Sequence, residues 1–331
     1  MSTNSNIADY CAAVVAEAVK GLLGQPKTLA PWLFYDAEGS LLFEQITALP
    51  EYYLSRTEHK ILTDCAPEVV SLASGRRRVM VAELGAGTAV KTGILLSELV
   101  RRQGTVSYHP IDVSATALRA ARLNIEASIP GITVSPQIAD YTVEPLNYQR
   151  PTDTRLLLMY LGSSIGNFSP PEARDLLLKL RGELLPGDLI LIGADRVKDE
   201  ATLVSAYDDA AGVTAAFNLN VLRRLNREIG TDFRLSNFEH LAVWNAAESR
   251  IEMHLESKIS QQVRIPTSPE NPELEIQFVR GETIHTENSY KFSSATMGSW
   301  LLQADFMPIK EWSDEKHLFS LTLAAVVSTT G

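Results

Sequence analysis

Cysteine is scarce in this sequence, and its histidines are scattered. Cys11 and Cys65 are the only cysteines among the 331 residues, too few and too far apart for a disulfide framework or a zinc site, so we expect a protein of the reducing cytoplasm. The six histidines form no HExxH motif and no close pair with a cysteine or an acid at metal-ligand spacing. We therefore expect no bound metal.

Long apolar runs and an excess of basic residues are missing as well. No apolar run approaches the roughly 20 residues that cross a bilayer, and the short run Tyr10–Ala16 follows no basic segment of the kind that begins a signal peptide. The net charge of -10 argues against a polyanionic partner, because phosphate backbones are held by clustered lysine and arginine. We expect neither a membrane nor a nucleic acid as a partner.

The most informative stretch runs from Arg77 to Arg102. An apolar run leads to Glu83, then to Gly85 and Gly87, then to an amphipathic segment, which is the pattern of a strand, a tight turn and a helix. Glycine permits positive φ and close approach to a ligand, and the start of a helix offers unpaired N–H groups. Val90 stands where a dinucleotide fingerprint has its third glycine or alanine, which disfavours a nicotinamide-dependent oxidoreductase. The stretch indicates a nucleotide-cradling turn, with a plain structural turn as the alternative.

Acidic residues follow the next two predicted strands. Asp112 ends the second strand, where a carboxylate can accept both hydroxyls of a ribose; its alternative role is to cap the helix that begins near Ser114. Asp140 and Tyr141 end the third strand, where an acid and an aromatic ring could bind an adenine. These positions predict a nucleoside site at one edge of a parallel sheet.

The fourth predicted strand runs into the loop Gly162–Asn167. Its Gly-x-Ser-x-Gly spacing matches the nucleophile elbow of α/β-hydrolases, which is a rival from another reaction class. However, Ser169–Glu172 has the sequence of a capping box, so the next helix starts several residues later than an elbow requires. We favour a ligand-binding loop in which the amide of Asn167 both donates and accepts hydrogen bonds.

After the fifth predicted strand the pattern changes to an inserted unit. Residues 198–281 combine helices with alternating segments typical of antiparallel strands, and Gln262–Pro272 is a polar, proline-rich connection. The final segment predicts a helix and two strands that return to the sheet. Near the N-terminus, Tyr35 and Tyr52 stand out among clustered aromatics, because a buried phenol needs a polar partner.

Six segments together carry a specific resemblance. They are Phe34–Asp36, Leu49–Tyr53 with Arg56–Glu58, Glu83–Thr88, Leu161–Asn167, Tyr207–Asn218, and Thr286–Ser289 with Lys291–Phe292. Over nearly the whole chain they resemble the histidine-specific Nα-methyltransferases of ergothioneine biosynthesis, which use S-adenosylmethionine (SAM). Leu54 and Tyr290 depart from that pattern, where we expect a proline and a smaller residue.

The resemblance implies a fold, a division into domains and a set of site residues. The fold would be α/β, a class I SAM-methyltransferase (Rossmann-like) core of residues 57–196 and 286–331 with a second, inserted α+β substrate-binding domain of residues 1–56 and 197–285. The residues that would hold the cofactor are Tyr35, Gly85, Gly87, Lys91, Asp112, Asp140 and Tyr141. The residues that would hold histidine are Tyr52, Gly162, Asn167, Tyr207, Met253, Glu287 and Ser289.

The implied reaction is the Nα-trimethylation of L-histidine to hercynine, the first step of ergothioneine biosynthesis, with S-adenosylhomocysteine (SAH) as the second product. Asn167, Tyr52 and Tyr207 would act at the reacting amine, and we expect a monomer. Glu287 and Ser289, two residues apart in an extended segment, would face one imidazole together. The alternatives are a methyltransferase for another aromatic amino acid, a nicotinamide-dependent oxidoreductase and a SAM-binding module without catalysis; the candidate histidine-binding side chains disfavour the last.

Overall fold

The chain forms two compact units, each built from two separate segments. The structure is a computed structural model that describes residues 2–266 and 273–327. The insert unit comprises Met1–Tyr53 and Lys198–Ser289, and the sheet unit comprises Leu54–Val197 and Tyr290–Gly331. The predicted boundaries followed residues 56, 196 and 285, whereas the observed ones follow residues 53, 197 and 289. Which ligand each unit binds stays a prediction.

The helices and strands follow the apolar periodicity of the sequence. The helices are α1 (Ser2–Leu23), α2 (Ala37–Thr47), α3 (Tyr53–Ser74), α4 (Thr92–Gln103), α5 (Ala115–Ser128), α6 (Pro170–Glu183), α7 (Glu200–Ser205), α8 (Val213–Ile229) and α9 (Ser294–Gln303). The strands are β1 (Lys27–Thr28), β2 (Arg78–Leu84), β3 (Val106–Asp112), β4 (Ile132–Val134), β5 (Gln137–Ile138), β6 (Thr154–Tyr160), β7 (Leu189–Asp195), β8 (Phe238–Asn245), β9 (Arg250–Ser257), β10 (Gln261–Ile265), β11 (Leu274–Phe278), β12 (Thr283–Tyr290), β13 (Phe306–Ser313) and β14 (Phe319–Val326).

The sheet unit is a doubly wound α/β sheet, as predicted. Its strand order is β13-β14-β7-β6-β2-β3-β4, and the short β5 pairs with β3. The strands β2, β3, β4, β6 and β7 pair in parallel, whereas β14 lies antiparallel to β7. The chain order reverses at β2, which has β3 on one side and β6 on the other. Ligands of such sheets bind beyond the carboxyl ends of the strands at this switch point.

The insert unit is α+β. Its sheet has the order β1-β12-β9-β8, in which β8 and β9 are antiparallel, and the helix α8 packs against β8 and β9 with one face buried. The strands β10 and β11 form a separate antiparallel pair. The expectation that Gln262–Pro272 is a connection throughout was wrong for its first residues, because 262–265 alternate buried and exposed side chains within β10; residues 267–272 lie outside the described part of the chain. In the described ranges, no helix is long and apolar enough to cross a membrane.

A buried ion pair fixes the edge of the sheet opposite the switch-point ligand edge. Asp188, which is 1% exposed, lies just before β7 and accepts two hydrogen bonds from the guanidinium of Arg150, at 2.6 and 2.7 Å. Its oxygens also accept from the backbone N–H groups of Leu156 and Leu185, at 2.9 and 2.8 Å. All four contacts join β6, the loop before it and the turn into β7.

Replacing Asp188 by alanine therefore leaves the Arg150 charge, the buried N–H of Leu156 and the N–H of Leu185 without their partner. We expect the free energy of unfolding to fall by about 3–5 kcal/mol, the cost of breaking a buried pair. Denaturant titration measures it, with Glu126→Ala as the control, because Glu126 pairs with Arg122 at the surface. A loss in Asp188→Ala no larger than that of the control would show that the pair does not hold the sheet.

Candidate active site

The turn after β2 has the backbone geometry that its two glycines were expected to provide. Gly85 has φ +61° and Gly87 has φ +52°, a region that side chains rarely adopt. A Cβ at Gly87 would meet no atom within 4 Å, so it is backbone conformation and not space that requires glycine here. The Gly85 N–H donates to the carbonyl of Ile111 at 2.8 Å, which ties the turn to the end of β3.

Asp112 lies at the end of β3, beside this turn. One of its carboxylate oxygens accepts from the N–H of Gly87 at 3.0 Å, and the other accepts from the N–H of Ser114 at 2.9 Å. The helix α5 is capped by Ser114, whose hydroxyl accepts from the N–H of Ala117. Asp112 is therefore not the N-cap residue; it holds the glycine turn, and its partly exposed carboxylate has acceptor positions left for hydroxyl groups.

Asp140 and Tyr141 come next in space. One oxygen of Asp140 accepts from the N–H and the hydroxyl of Thr142, which fixes the start of the loop after β5. The Tyr141 hydroxyl lies 3.3 Å from that of Tyr160, and a Cβ built on Gly85 would lie 4.0 Å from the Tyr141 ring. Burial raises the pKa of Tyr141 to about 12, so its phenol stays protonated. The predicted aromatic contact thus lies beside the glycine turn.

Lys91 was predicted to bind the cofactor and Gly162 to bind histidine. The side chain of Glu58 contacts both of them. Lys91 precedes α4, and its ammonium pairs with the carboxylate of Glu58 on α3. The other oxygen of Glu58 accepts from the N–H of Gly162 at 2.8 Å. Gly162 lies two residues after the end of β6 and has φ +78°. Glu58 ends the segment Arg56–Glu58 that carries part of the family resemblance, but no role was predicted for it.

The loop after β6 does not have the geometry of a hydrolase elbow. Its residues Ser164–Asn167 form a 3-10 turn, and the Ser164 hydroxyl donates to the carbonyl of Leu161 at 3.1 Å. The helix α6 starts afterwards with the expected capping box, in which Glu172 accepts from the Ser169 N–H at 2.8 Å. A Cβ on Gly166 would lie 2.7 Å from the Tyr290 carbonyl, so this close approach fixes the turn that ends in Asn167.

In the insert unit, three of the predicted histidine-binding residues touch one another. The hydroxyls of Tyr207 and Ser289 lie 2.7 Å apart, and the Tyr52 ring meets the Tyr207 ring edge-on at 6.2 Å. All three side chains are largely buried, at 7% exposure or less. A buried hydroxyl pair beside aromatic rings is a polar point in an otherwise apolar wall, which suits an amino-acid ligand.

Tyr35, which was predicted to bind the cofactor, belongs to the same group of aromatic side chains as Tyr52 and Tyr207. Its ring meets those of Phe43 and Phe217 edge-on, at 6.0 and 6.1 Å, and Phe43 in turn contacts Tyr52. Tyr35 belongs to the insert unit and the other predicted cofactor residues belong to the sheet unit, and the role of Tyr35 stays a prediction. Its side chain is 36% exposed.

Two polar residues that were not predicted as site residues, His240 and Asn218, support Tyr207. The Nε2 of His240 donates to the Tyr207 carbonyl at 2.7 Å, and Asn218 on α8 donates to its Nδ1 at 2.8 Å. Burial lowers the pKa of His240, so the ring stays neutral and can accept at Nδ1. Asn218 also accepts from the Thr286 hydroxyl at 2.8 Å. Asn218 could have been found from the sequence, because it is a polar residue within the Tyr207–Asn218 segment and lies on the buried face of α8.

Met253 and Glu287 lie on the neighbouring strands β9 and β12. Met253 is buried at 2% exposure, and its carbonyl accepts from the Thr286 hydroxyl at 3.0 Å. Glu287 is partly exposed, and its carbonyl accepts from the Nε2 of His285 at 3.0 Å. The backbone at both positions is therefore fixed, and the Glu287 residue is partly accessible to solvent.

A second buried carboxylate lies beneath the glycine turn. Glu83 in β2 is 4% exposed and accepts from the hydroxyls of Tyr108 and Thr92, the latter at 2.7 Å. Burial raises the pKa of Glu83 to about 7, although these hydrogen bonds oppose the rise. The acid that opens the glycine motif is thus an anchor between β2, β3 and α4. Within the described residues, no three His, Cys, Asp or Glu side chains cluster so as to hold a metal ion.

Fold and site together define a class I SAM-dependent methyltransferase: a doubly wound sheet with a glycine turn and an acid after its first two strands, and an inserted α+β unit. More narrowly, the chain belongs to the histidine-specific, SAM-dependent methyltransferases, whose family model matches residues 14–326. The resemblance noted in the sequence is thereby confirmed.

Relatives of known activity cover nearly all of the chain. The histidine N-alpha-methyltransferase of Mycolicibacterium smegmatis is 44% identical over 330 residues, which cover 96% of this chain and 98% of that protein. The enzyme of the same name from Mycobacterium tuberculosis is 42% identical and covers 95% of each chain. A more distant relative, the L-tryptophan methyltransferase of Psilocybe serbica, is 27% identical, with 92% of this chain and 91% of that protein covered.

Replacing Asp112 by alanine tests the ribose assignment. The variant removes acceptors for a ligand hydroxyl and for the Gly87 N–H, so we expect SAM and SAH to bind more weakly by about 1.5–3 kcal/mol. Calorimetric titration measures the loss, and Asp175→Ala on the exposed face of α6 serves as the control. Unchanged SAH affinity in Asp112→Ala would remove Asp112 from the cofactor site.

The raised pKa of Glu83 predicts a pH-dependent stability. The folded state holds this proton more tightly than the unfolded state, whose carboxyl titrates near pH 4.5, so the contribution of Glu83 to stability is greatest below pH 4.5 and declines up to pH 7. The difference in unfolding free energy between wild type and Glu83→Gln should thus shift by up to about 3 kcal/mol across this window, against wild type as pH rises. A difference that stays constant between pH 4.5 and 7 would contradict the assignment.

Proposed function

We propose that this protein transfers methyl groups from SAM to the α-amine of L-histidine, three times in succession. The products are hercynine and SAH, and the reaction is the first step of ergothioneine biosynthesis. The family match and the histidine N-alpha-methyltransferases among the relatives support the substrate. The structural observation that carries the proposal is the buried hydroxyl pair of Tyr207 and Ser289, with Glu287 two residues away on the same strand.

In the proposal, SAM is held by groups at the carboxyl edge of the sheet unit. SAM supplies an electrophilic methyl group on a sulfonium. Asp112 accepts from the ribose hydroxyls, and Asp140 and Tyr141 bind the adenine. The turn of Gly85 and Gly87 lets the backbone approach the ligand, and Lys91 offers an ammonium to the oxygen atoms of SAM. Tyr35 adds an aromatic ring. The geometry fits this role, because the glycine turn contacts Asp112 through the Gly87 N–H and lies beside the Tyr141 ring at Gly85.

Positioning is the main demand of this chemistry. Methyl transfer from a sulfonium to an amine moves positive charge without creating any, so the enzyme chiefly has to place a neutral amine lone pair in line with the methyl carbon. Each of the first two transfers leaves an N–H whose proton must depart before the next round. The third gives a quaternary nitrogen, which has no lone pair, and the reaction therefore stops there.

The amino-acid end of the proposed site must tolerate the loss of N–H donors as methyl groups accumulate. Asn167, Tyr52 and Tyr207 suit this, because an amide and phenols both donate and accept, and can turn to the carboxylate or to a water. The Tyr207 hydroxyl is oriented by Ser289, and the Tyr207 backbone is held by His240. Gly162 contributes backbone at the same end.

The imidazole of histidine has two ring nitrogens, whereas phenylalanine has none and tryptophan carries its one N–H at a different place on a larger ring. A carboxylate at Glu287 accepts the ring N–H, the Ser289 hydroxyl serves as a second partner, and Met253 lines the apolar side. A site built to bond such a group discriminates strongly, because a ligand without the group leaves buried polar atoms unpaired. The tryptophan enzyme among the relatives makes another aromatic amino acid the natural comparison.

Replacing Glu287 by alanine should remove this preference. We expect kcat/KM for histidine to fall by a factor of roughly 5 to 150, the equivalent of about 1–3 kcal/mol, while tryptophan loses little. The measurement is kcat/KM for both amino acids in wild type and variant, with Glu239→Ala as the control, because Glu239 is an exposed acid on β8 of the same sheet. A wild type that turns over tryptophan better than histidine would refute the substrate; equal proportional losses in Glu287→Ala would refute only the role of Glu287.

A further inference from the structure

Glu58 is a fully buried acid to which the reaction as described gives no part. It lies in α3 at 0% exposure, below the carboxyl edge of the sheet. One carboxylate oxygen pairs with the ammonium of Lys91 and the other accepts from the Gly162 N–H at 2.8 Å. These two partners follow β2 and β6, the strands on either side of the switch point.

The surroundings of Glu58 reserve space for its carboxylate. A Cβ on Gly193 in β7 would lie 2.2 Å from the same oxygen that binds Gly162, so a glycine at this point of the strand makes room for the acid. Taking a carboxylate out of water is costly unless it is paired and hydrogen-bonded. Glu58 is both: it pairs with Lys91 and accepts from Gly162, while Gly193 within β7 leaves room for it.

The partner Lys91 is placed to do more than neutralise a buried charge. The Lys91 side chain is 28% exposed, whereas the Glu58 side chain is fully buried, so of the two only Lys91 is accessible to a ligand. An ammonium has three N–H donors, and the bond to Glu58 leaves others for the oxygen atoms of a ligand. A lysine side chain that is already held in one conformation loses less conformational entropy when the ligand binds.

We propose that Glu58 is a positioning residue that fixes the Lys91 ammonium for the cofactor and, through the bond it accepts from the Gly162 N–H, the backbone of Gly162 for the amino acid. This inference rests on the proposed function, which assigns those two groups to SAM and to histidine. Glu58 touches neither ligand; it sets two ligand-binding groups, from two strand ends, at a fixed separation. The Glu58 carboxylate thereby couples the cofactor end of the site to the amino-acid end.

The two oxygens of Glu58 allow the two effects to be separated. Glu58→Gln keeps an oxygen for the Gly162 N–H but removes the charge that holds Lys91, so we expect SAH to bind at least about tenfold more weakly, while KM for histidine changes less than about threefold. Glu58→Ala removes both contacts and should raise both KM values. Calorimetry with SAH and steady-state kinetics with histidine measure these changes.

A double-mutant cycle with Lys91→Met distinguishes positioning from mere structural support. If Glu58 acts through Lys91, the loss of SAH affinity in Glu58→Gln should vanish in the Lys91→Met background. A loss of the same size in both backgrounds would overturn the proposal, as would a Glu58→Gln variant with wild-type SAH affinity. If Glu58→Gln folds poorly, the same double-mutant cycle is measured with Glu58→Asp, which keeps a charge in the buried position.

Glu68→Gln is the matched control. Glu68 lies on the same helix and pairs with Lys310, but both side chains are more than 40% exposed. We expect wild-type SAH affinity and wild-type kinetics from this variant. Wild-type protein that binds no SAH would refute the proposed function itself, whereas wild-type binding combined with unaffected Glu58 variants would refute this inference alone.

Discussion

Hydrogen bonds from glycine N–H groups to buried or half-buried carboxylates hold the functional edge of the sheet unit. Gly87, after β2, donates to Asp112, and Gly162, after β6, donates to Glu58. A turn with positive φ has no side chain with which to anchor itself, so the anchor has to come from a neighbouring element. Because the acids are charged, each bond is stronger than one between neutral groups. The geometry of the edge depends on these contacts.

In the insert unit, hydrogen bonds between neutral groups hold Tyr207 in place. Tyr207 is held at both ends, its carbonyl by His240 and its hydroxyl by Ser289. His240 is oriented in turn by Asn218, which also bonds Thr286 on β12. Connected polar networks of this kind specify a single arrangement, because breaking one member leaves another buried and unpaired. Rigid placement of an amine requires such support.

The sequence predicted much of this where the physical signal is local. The central parallel strands β6 and β7 are largely apolar because helices cover both faces of the sheet. The glycine turn and Asp112 follow from their positions in a βαβ unit. Glu58 could not be assigned a role this way, because a helical glutamate is usually exposed and its partners are distant in sequence. The strand β10 was missed because a polar, proline-rich composition masked its short alternation. The cap of α5 is Ser114 and not Asp112. The sequence could not distinguish them, because serine and aspartate both suit the N-cap position.

The central claim is that a neutral α-amine of histidine is the methyl acceptor and that transfer stops at the quaternary nitrogen. The most direct measurement is mass spectrometry of the product formed from L-histidine and excess SAM, with fragmentation to locate the methyl groups. The account predicts a final product with three methyl groups on the α-nitrogen and none on the imidazole. Methylation of the ring, or accumulation of a monomethyl or dimethyl product that is not converted further, would contradict it.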